Sequence, residues 1–271
     1  NVPRMGDSET PTELPAERGG DAEGRGQHAR ALQAHSWRHT TPDPELFRRT
    51  RGSITMIGPM LARAGSIHLP LPGGDKIGRR RIDTHLLALE AMGAEVSHNG
   101  DFALHAPTLK GADILLDEAS VTATENAIMA AVLAKGTTII RNAASEPHVQ
   151  DLCLCINHMG GKIGGIGSNI LVIEGVPRLK GGEWTICPDH IEIGSYIGLG
   201  AVTRGEVRIR GVNREHLRMV DMVFRQRLGV RMHYQGDTLV VEDKQELAIQ
   251  PDVGGAVPTI DNAPWPAFPA D

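Results

Sequence analysis

The sequence has few of the residues that mark several large protein classes. Its 28 Lys and Arg against 33 Asp and Glu give a net charge of −5, which excludes a basic nucleic-acid binder. It has three Trp, two Tyr and four Phe, and its three cysteines are too few for a disulfide framework. No run of ~18 apolar residues occurs, so we expect no membrane span. No charged-then-apolar leader occurs either, so we expect no secretory signal and a reduced, cytosolic compartment.

Aliphatic residues and glycine are abundant instead. Hydrophobic residues make up 40% of the chain, and 32 of its 271 residues are Gly. This composition is typical of an α/β or α+β fold and argues against wholesale disorder. The length accommodates one large domain or two small ones around a sizeable core.

The chain repeats itself about every 70 residues. An apolar-striped helix, a terminal glycine and an alternating hairpin are predicted at 84–93, 152–160 and 217–229. A second series of small-residue helices is predicted at 56–64, 127–135 and 197–204, each followed by a glycine and a strand. Two helices and at least four short strands per unit predict helices enclosed by small sheets.

Two details of these repeats are specific predictions. Thr122 and Glu125 have the spacing of a capping box at the start of the middle helix of the second series. Residues 1–50 indicate a weakened partial repeat, because Pro11 and Pro15 fall where the unit would place a helix. Gly19 precedes Gly93 by 74 residues, as a decayed copy of the first series would require.

Residues 71–83 carry the densest chemical signal. They read Leu-Pro-Gly-Gly-Asp-Lys-Ile-Gly-Arg-Arg-Arg-Ile-Asp, a glycine-rich loop in which four cations follow Asp75 just before a predicted helix. A helix start with unpaired amides and nearby guanidinium groups can bind an anion. A solvated basic turn is the alternative interpretation.

The loop motif Pro72-Gly73-Gly74-x-x-Ile77-Gly78-x-Arg80-x-x-Asp83-x-His85 resembles the active-site loop of UDP-N-acetylglucosamine enolpyruvyl transferases. Further similar motifs run almost from end to end: Arg51-Gly52-Ser53-Ile54, Gly58-Pro59-Met60-Leu61-Ala62-Arg63, Ser120-Val121-x-Ala123-Thr124, Asn142-Ala143-Ala144-x-Glu146-Pro147, Pro188-Asp189-x-Ile191-Glu192 and Ala263-Pro264-x-Pro266-x-Phe268-Pro269-x-Asp271. The sister family of the shikimate pathway shares the repeat, but its loop signatures are not seen.

The resemblance implies transfer of the enolpyruvyl group from phosphoenolpyruvate to the 3-hydroxyl of UDP-N-acetylglucosamine, with release of phosphate. That reaction is the first committed step of peptidoglycan synthesis in the bacterial cytoplasm, and so bears on cell wall biogenesis, cell shape and cell division. The two small-molecule substrates are the implied partners, with no cofactor, nucleic acid or membrane.

The implied fold is a two-domain inside-out barrel of βαβαββ units, in the α/β (α+β) class. We expect residues 1–187 to form the domain that carries the active-site loop, and 188–271 to form the first unit of an incomplete second domain. The apolar faces of that unit would be exposed or covered by a partner, and self-association through them is one option.

The resemblance also assigns roles residue by residue. Asp75 and Asp271 fall at catalytic positions, the second being the carboxylate that orients or deprotonates the sugar hydroxyl. Eight residues fall at positions that contact the UDP-sugar: Arg51, Arg80, Arg81, Ile82, Asp83, Thr84, Ser120 and Val121. No metal site is expected, because Cys153-x-Cys155 has no second pair at ligand spacing and is better explained by buried apolar thiols.

Several positions depart from the family pattern. Asp75 stands where most members have Cys, Arg81 where they have Pro, Glu118 where Lys is common, and His190 where Arg is usual. The reversed charge at Glu118 is expected to weaken nucleotide binding. The N-terminal Lys-Asn pair and the later arginines that hold phosphoenolpyruvate have no counterparts in the chain. A catalytically inactive fragment or degenerate homologue, which at most binds UDP-sugar, therefore stays open as an alternative.

Asp75 generates a direct prediction. Fosfomycin alkylates the thiol at this loop position, and a carboxyl group with an ordinary pKa of about 3.9 is not an equivalent of a thiol at about 8.5. We expect the protein to be insensitive to fosfomycin, measured by mass spectrometry of the purified chain after incubation with the compound. Covalent labelling at Asp75 would contradict this.

Overall fold

The computed structural model describes residues 21–24, 29–33, 40–73, 81–98 and 100–269. Its helices and strands follow in the order β1 Asp21–Gly24, β2 Arg30–Gln33, α1 Pro44–Arg49, α2 Ile57–Ala64, β3 Ser66–Leu69, α3 Asp83–Ala91, β4 Glu95–His98, β5 Phe102–His105, β6 Asp113–Leu115, α4 Val121–Ala131, β7 Thr137–Arg141, α5 Pro147–His158, β8 Lys162–Gly164, β9 Ile170–Glu174, α6 His190–Thr203, β10 Val207–Ile209, α7 Arg218–Asp221, β11 Met232–Gln235 and β12 Thr238–Val241. Two 3-10 segments, Arg51–Met56 and Arg214–Leu217, precede α2 and α7, and the π-helical segment Met222–Arg227 follows α7.

The described residues form two compact units. Unit 1 contains those up to Ala144 together with Val149–Ile186, and unit 2 contains Ser145–His148 together with those from Cys187 onward. Each unit has a hydrophobic core of its own. The core of unit 1 includes Phe47, Met60, Leu89, Leu104, Ile128 and Ile140. The core of unit 2 includes Ile197, Leu217, Val220, Leu239 and Val241.

The predicted repeat is confirmed by the strand topology. The succession β6, α4, β7, α5, β8, β9 is a βαβαββ unit, in which β6 and β7 are parallel and β9 lies between β7 and β8. The three-stranded sheets β3-β5-β4 and β10-β12-β11 have the same strand order as β7-β9-β8, with all neighbours antiparallel. Small sheets carrying apolar helices, as the composition and the spacing predict, are therefore the architecture of the chain.

Of the three helix ends predicted in the second series, the one at Ala64 is correct, whereas α4 ends at Ala131, four residues before the predicted Lys135, and α6 ends at Thr203. Gly65, which follows α2, has φ of 72°, and Gly136 has φ of 99°, so both adopt the left-handed backbone expected after a helix. Gly205 does not. The left-handed residue after α6 is Arg204, with φ of 54°, so the helix ends one residue earlier than predicted. This backbone conformation is unfavourable for a residue that has a Cβ.

Two further predictions about helices need correction. The N-cap of α4 is Ser120 and not Thr122: the Ser120 Oγ accepts a hydrogen bond from the Ala123 amide at 3.4 Å. The capping-box pattern misled because Ser120 and Thr122 are both suitable cap residues two positions apart. The helix predicted at 217–229 is interrupted, since 3-10, α and π segments succeed one another there.

Residues 1–50 were predicted to be a weakened partial repeat, and Pro11, Pro15 and Gly19 lie outside the described residues. In the described part, β1 and β2 pair antiparallel, an element that the polar composition of this region gave no reason to expect. Helix α1 follows the rules of helix starts, since the Asp43 Oδ1 accepts from the Glu45 and Leu46 amides.

The cysteines, the possible metal ligands and the length of the helices also bear on the expectations from the sequence. Cys153 is buried as predicted, and burial raises the pKa of its thiol to about 12. Cys155 is only half-buried. Within the described ranges, no three His, Cys, Asp or Glu side chains are grouped so that they could hold a metal ion. Of the described helices, none is both long and apolar enough to cross a bilayer.

A buried polar network joins three helices of unit 1. Asn126 in α4 is fully buried, and its Oδ1 accepts from the Gly58 amide of α2 at 2.7 Å. Its Nδ2 donates to the Ile54 carbonyl at 2.9 Å and to the His85 Nδ1 of α3 at 2.8 Å. A Cβ at Gly58 would collide with the main chain of Asn126, so glycine permits the close approach of α2 and α4.

His85 is consequently a neutral, positioned imidazole. Its Nδ1 accepts from an amide that can only donate, so its Nε2 carries the proton and donates to the Thr122 Oγ1 at 3.2 Å. Burial, together with the nearby positive charge of Arg51, lowers the pKa of His85 to about 4. The fold therefore depends on this histidine staying uncharged.

The left-handed Arg204 predicts a stabilising substitution. We expect Arg204→Gly to raise the free energy of unfolding by about 0.5–1 kcal/mol, because glycine adopts this backbone without a Cβ clash. Urea unfolding measures the change. Arg210→Gly is the matched control, at an exposed position with an ordinary φ, and should lower the stability instead. A loss of stability for both variants would contradict the assignment.

The neutral His85 predicts a pH-dependent stability. The unfolded chain takes up the proton near pH 6.5 and the folded protein only near pH 4, so stability falls as the pH is lowered between these values. From pH 6.5 to 5 this contribution is about 2 kcal/mol. Urea unfolding at both pH values measures it.

His85→Gln, which cannot titrate, should lose less stability over this range than the parent protein. The control is His105→Gln, which removes an exposed histidine of β5 and should leave the loss as it is. An equal loss in the His85→Gln variant would show that other groups cause it.

Candidate functional site

Three segments of unit 1 meet where the resemblance places the UDP-sugar. They are the start of the 3-10 segment at Arg51, the start of α3 at Asp83, and the turn from β6 to α4. The glycine-rich loop begins beside them. At Gly73 the chain passes so close to the main chain of Arg48 that a Cβ would not fit, so this position requires glycine.

Arg81 connects the three segments. Its Nε donates to the Asp83 Oδ2 at 3.2 Å, and its Nη2 donates to the Asp117 Oδ2 at 2.8 Å. Its backbone carbonyl accepts from the Arg51 Nη2 at 3.1 Å. The hydrogen bonds to Asp83 and Asp117 raise the pKa of Arg81 above its already high ordinary value. The guanidinium group is therefore held between two carboxylates of different segments.

Asp117 receives a second donor from α3. The Thr84 Oγ1 donates to the Asp117 Oδ1 at 2.6 Å and lies 3.3 Å from the Glu118 Oε1. The Thr84 hydrogen bond, followed by that from Arg81, lowers the pKa of Asp117, so this carboxyl is ionised near neutral pH. Thr84 is buried, which fixes the direction of its hydroxyl and with it the position of Asp117.

The remaining predicted contact residues begin or flank helices. Ser120 caps α4, and Val121, its first residue, packs against the core of unit 1. Ile82 precedes α3, its carbonyl accepts from the His85 amide at 3.0 Å, and its side chain also packs against the core. The first turn of α4 presents amides at the end of the site, where an anion would be stabilised.

The described charges of the site nearly balance. Arg51 and Arg81 carry positive charge, and Asp83, Asp117 and Glu118 carry negative charge. A phosphate group entering this region meets guanidinium and helix amides, but also three carboxylates. The arrangement can hold a polar, hydroxyl-rich ligand with an anionic part, and weaker nucleotide binding because of Glu118 stays a prediction.

Hydrogen bonds join four of the predicted residues directly or through Asp117, and others lie outside the described residues. Arg51, Arg81 and Asp83 are linked through Arg81, and Thr84 joins them through Asp117, three residues before Ser120. Asp75, Arg80 and Asp271 lie outside the described residues. Their roles, and those of the contact residues, stay predictions.

Asp117 was missed by the sequence analysis. Its signal was present: it stands at the end of a strand, beside the singled-out Glu118 and three residues before a helix cap. Nothing in the sequence, however, indicates that this carboxylate rather than a ligand pairs with Arg81, because the two residues are 36 positions apart.

Unit 2 has an aromatic cluster around Trp265. The rings of His190 and Trp265 meet edge to face with centroids 5.4 Å apart, and His216 approaches Trp265 at 6.4 Å. Burial, together with the charge of His148, lowers the pKa of the enclosed His190. The cluster packs the segment that contains Trp265 against the rest of unit 2. His190, which stands where the family usually has arginine, therefore has a packing role.

Curated relatives are similar over the whole chain. UDP-N-acetylglucosamine 1-carboxyvinyltransferase of Bradyrhizobium diazoefficiens is 52% identical over 271 residues, which are 100% of this chain and 63% of the relative. The protein of the same name from Treponema denticola is 51% identical over the same extent, with the same 63% of its length covered. The chain thus spans just over three fifths of the length of these relatives.

Solved structures share the fold. The enolpyruvyl transferase NikO from Streptomyces tendae superposes with a TM-score of 0.79 at 22% identity, covering 92% of this chain and 60% of that one. EPSP synthase from Acinetobacter baumannii superposes with a TM-score of 0.67 at 16% identity, covering 90% and 58%. The predicted fold class, enolpyruvyl transferase units of helices and small sheets, is confirmed.

The sequence model of one family matches the whole chain. The family is described as EPSP synthase (3-phosphoshikimate 1-carboxyvinyltransferase), and the match covers residues 1–271. The names of the curated relatives confirm the resemblance to UDP-N-acetylglucosamine enolpyruvyl transferases that the loop motif indicated. By sequence and by fold, therefore, the chain belongs to the enolpyruvyl transferase family of EPSP synthase.

Proposed function

We propose that this chain is part of an enzyme that transfers the enolpyruvyl group of phosphoenolpyruvate to the 3-hydroxyl of UDP-N-acetylglucosamine. The observation that carries the proposal is the name of relatives about half identical to it along all 271 residues. Such an enzyme acts in the bacterial cytoplasm on small-molecule substrates and supplies peptidoglycan synthesis.

The reaction requires three proton transfers and one leaving group. The sugar oxygen forms a bond to C2 of phosphoenolpyruvate, its proton goes to a base, and C3 takes up a proton. The tetrahedral intermediate then loses a proton from C3 while the bond from C2 to the phosphate oxygen breaks. We assign the base to Asp271 and the acid of the loop to Asp75. Asp75 needs a raised pKa for this, which desolvation on closure of the site would supply.

The geometry of unit 1 supports a sugar-nucleotide site. A guanidinium group fixed at Arg51, the amides at the start of α4, and the side chains of Asp83 and Thr84 surround one region. Arg and helix amides suit phosphate oxygens, and carboxylates accept hydrogen bonds from sugar hydroxyls. We include Arg80, Arg81, Ile82, Ser120 and Val121 in the proposed site.

We further propose the domain division expected from the sequence. Residues 1–187 would be the domain with the active-site loop, and 188–271 the first unit of a second domain.

Several exposed apolar side chains of α6 support a further partner that packs against this unit. The helix is apolar on most of its faces, yet Tyr196 is 45%, Leu199 49% and Val202 73% exposed. Self-association is one way to cover them.

A second candidate function is binding of UDP-sugar without catalysis. The observation that favours it is the charge of the described site, where Asp83, Asp117 and Glu118 outnumber Arg51 and Arg81. Positioned positive charge normally supplies several kcal/mol of transition-state stabilisation in chemistry that releases phosphate. A site with this charge balance can retain affinity for the UDP-sugar while it loses catalytic activity.

Phosphate release distinguishes the two functions. The measurement is inorganic phosphate formed from phosphoenolpyruvate by this chain, with and without UDP-N-acetylglucosamine. The transferase predicts release that requires the sugar nucleotide and falls at least about 100-fold in Asp75→Ala, as expected for loss of an acid catalyst. Asp101→Ala, which removes an exposed aspartate in the turn before β5, is the control and should retain the rate. No release by the parent chain would favour the binding function.

A further inference from the structure

Arg81 is placed among the UDP-sugar contacts by the resemblance, yet its side chain is already engaged. Its Nε and Nη2 donate to Asp83 and Asp117, two carboxylates from segments that are far apart in the sequence. The two ion pairs measure 3.2 Å and 2.8 Å between nitrogen and oxygen. A guanidinium group shared between two carboxylates has lost much of its attraction for a further anion.

The backbone of the same residue holds the other arginine. The Arg81 carbonyl accepts from the Arg51 Nη2, and Arg51 begins the 3-10 segment that leads into α2. Arg81 thus holds Arg51 through its main chain and compensates two negative groups, Asp83 two residues along its own segment and Asp117 on another. Without the Arg81 side chain, the described part of the site would have three negative side chains, Asp83, Asp117 and Glu118, and one positive side chain, Arg51.

We propose that Arg81 is a positioning residue of the sugar-nucleotide site, where it neutralises and clamps Asp117 and Asp83 instead of binding the ligand itself. The inference rests on the proposed function for the identity of the ligand, a nucleoside diphosphate sugar. The clamp keeps Asp117 attached to Thr84 and Arg81, so that the carboxylate does not repel the diphosphate bound near Arg51 and the start of α4.

Affinity measurements on a mutant cycle test the proposal. Binding of UDP-N-acetylglucosamine to the full chain is measured by titration calorimetry for the parent, Arg81→Ala, Asp117→Asn and the double variant. We expect Arg81→Ala to raise Kd roughly tenfold, because it leaves an uncompensated carboxylate in the site. Asp117→Asn should change Kd by less than about threefold, and the double variant should bind about as well as Asp117→Asn.

The chain offers a matched control in β7. Arg141 is paired with Asp113 through its Nε at 2.7 Å and its Nη2 at 2.9 Å, and its side chain is 44% exposed against 41% for Arg81. Arg141→Ala removes a similarly exposed arginine from an ion pair with Asp113, a carboxylate outside the proposed site, and it leaves the main-chain bond from the Leu116 amide to the Arg141 carbonyl in place. It should leave Kd unchanged.

Two results would overturn the proposal. A double variant as weak as Arg81→Ala would mean that compensation of Asp117 is not what Arg81 contributes to binding, because removing Asp117 then restores nothing. An Arg81→Ala variant with the affinity of the parent would mean that the residue does not serve the site.

A second measurement separates failure of the clamp from failure of the proposed function. Carboxyl NMR titration of aspartate-labelled protein without ligand should show a higher pKa of Asp117 in Arg81→Ala than in the parent and in Arg141→Ala. An unchanged pKa of Asp117 overturns the clamp whatever the ligand. If the parent does not bind UDP-N-acetylglucosamine, the proposed function fails and the role of Arg81 in binding fails with it, whereas a raised pKa would still establish the clamp.

Discussion

Asn126 is the side chain that joins the parts of unit 1 from which the candidate site is built. Its amide group bonds the end of the 3-10 segment, the start of α2 and the imidazole of α3, all without access to water. A buried amide with satisfied hydrogen bonds rigidifies its surroundings, because any relative shift of the helices would leave a polar group unpaired. Spacing between α2, α3 and α4 is therefore set at this point.

The residues of the site lie next to the partners of Asn126 in the sequence. Arg51 is three residues before Ile54, Thr84 directly precedes His85, and Ser120 is six residues before Asn126 itself. A network that fixes the main chain of these segments in the core thus also restricts the positions of Arg51, Thr84 and Ser120. This explains how a site that is largely exposed can have defined geometry, although exposed ion pairs contribute little stability by themselves.

Charge compensation is the second constraint on the site. Binding of a diphosphate requires positive charge, and ion pairs such as those of Arg81 consume part of it. The Thr84 and Arg81 hydrogen bonds keep Asp117 ionised and in place, while Glu118 adds a further negative charge. The balance between Arg51, Arg81 and the three carboxylates, more than the count of arginines in the loop, decides how strongly an anion is held.

The repeat itself could be read from the sequence. Period-2 and helical patterns recur at a fixed spacing, and glycines such as Gly65 and Gly136 need a left-handed backbone that few other residues adopt cheaply, so local chemistry specifies them. Local patterns were ambiguous where two residues could serve equally. Ser120 and Thr122 are both good caps; in the structure Ser120 caps α4, and the Thr122 Oγ1 accepts from the His85 Nε2 of another helix. Arg204 adopts the left-handed conformation that was expected of its neighbour Gly205.

The sequence by itself determined the family, the unit of helices and small sheets, and the segments that contribute to the site, because each depends on residues close together in the chain or on motifs in fixed order. Only the tertiary structure decided which side chains pair. Arg81 with Asp117, Thr84 with Asp117, and His85 with Asn126 are contacts across 33 to 41 positions. Such partners are chosen by how helices pack and by which buried groups would otherwise lack a hydrogen bond, and neither property is written in the local sequence.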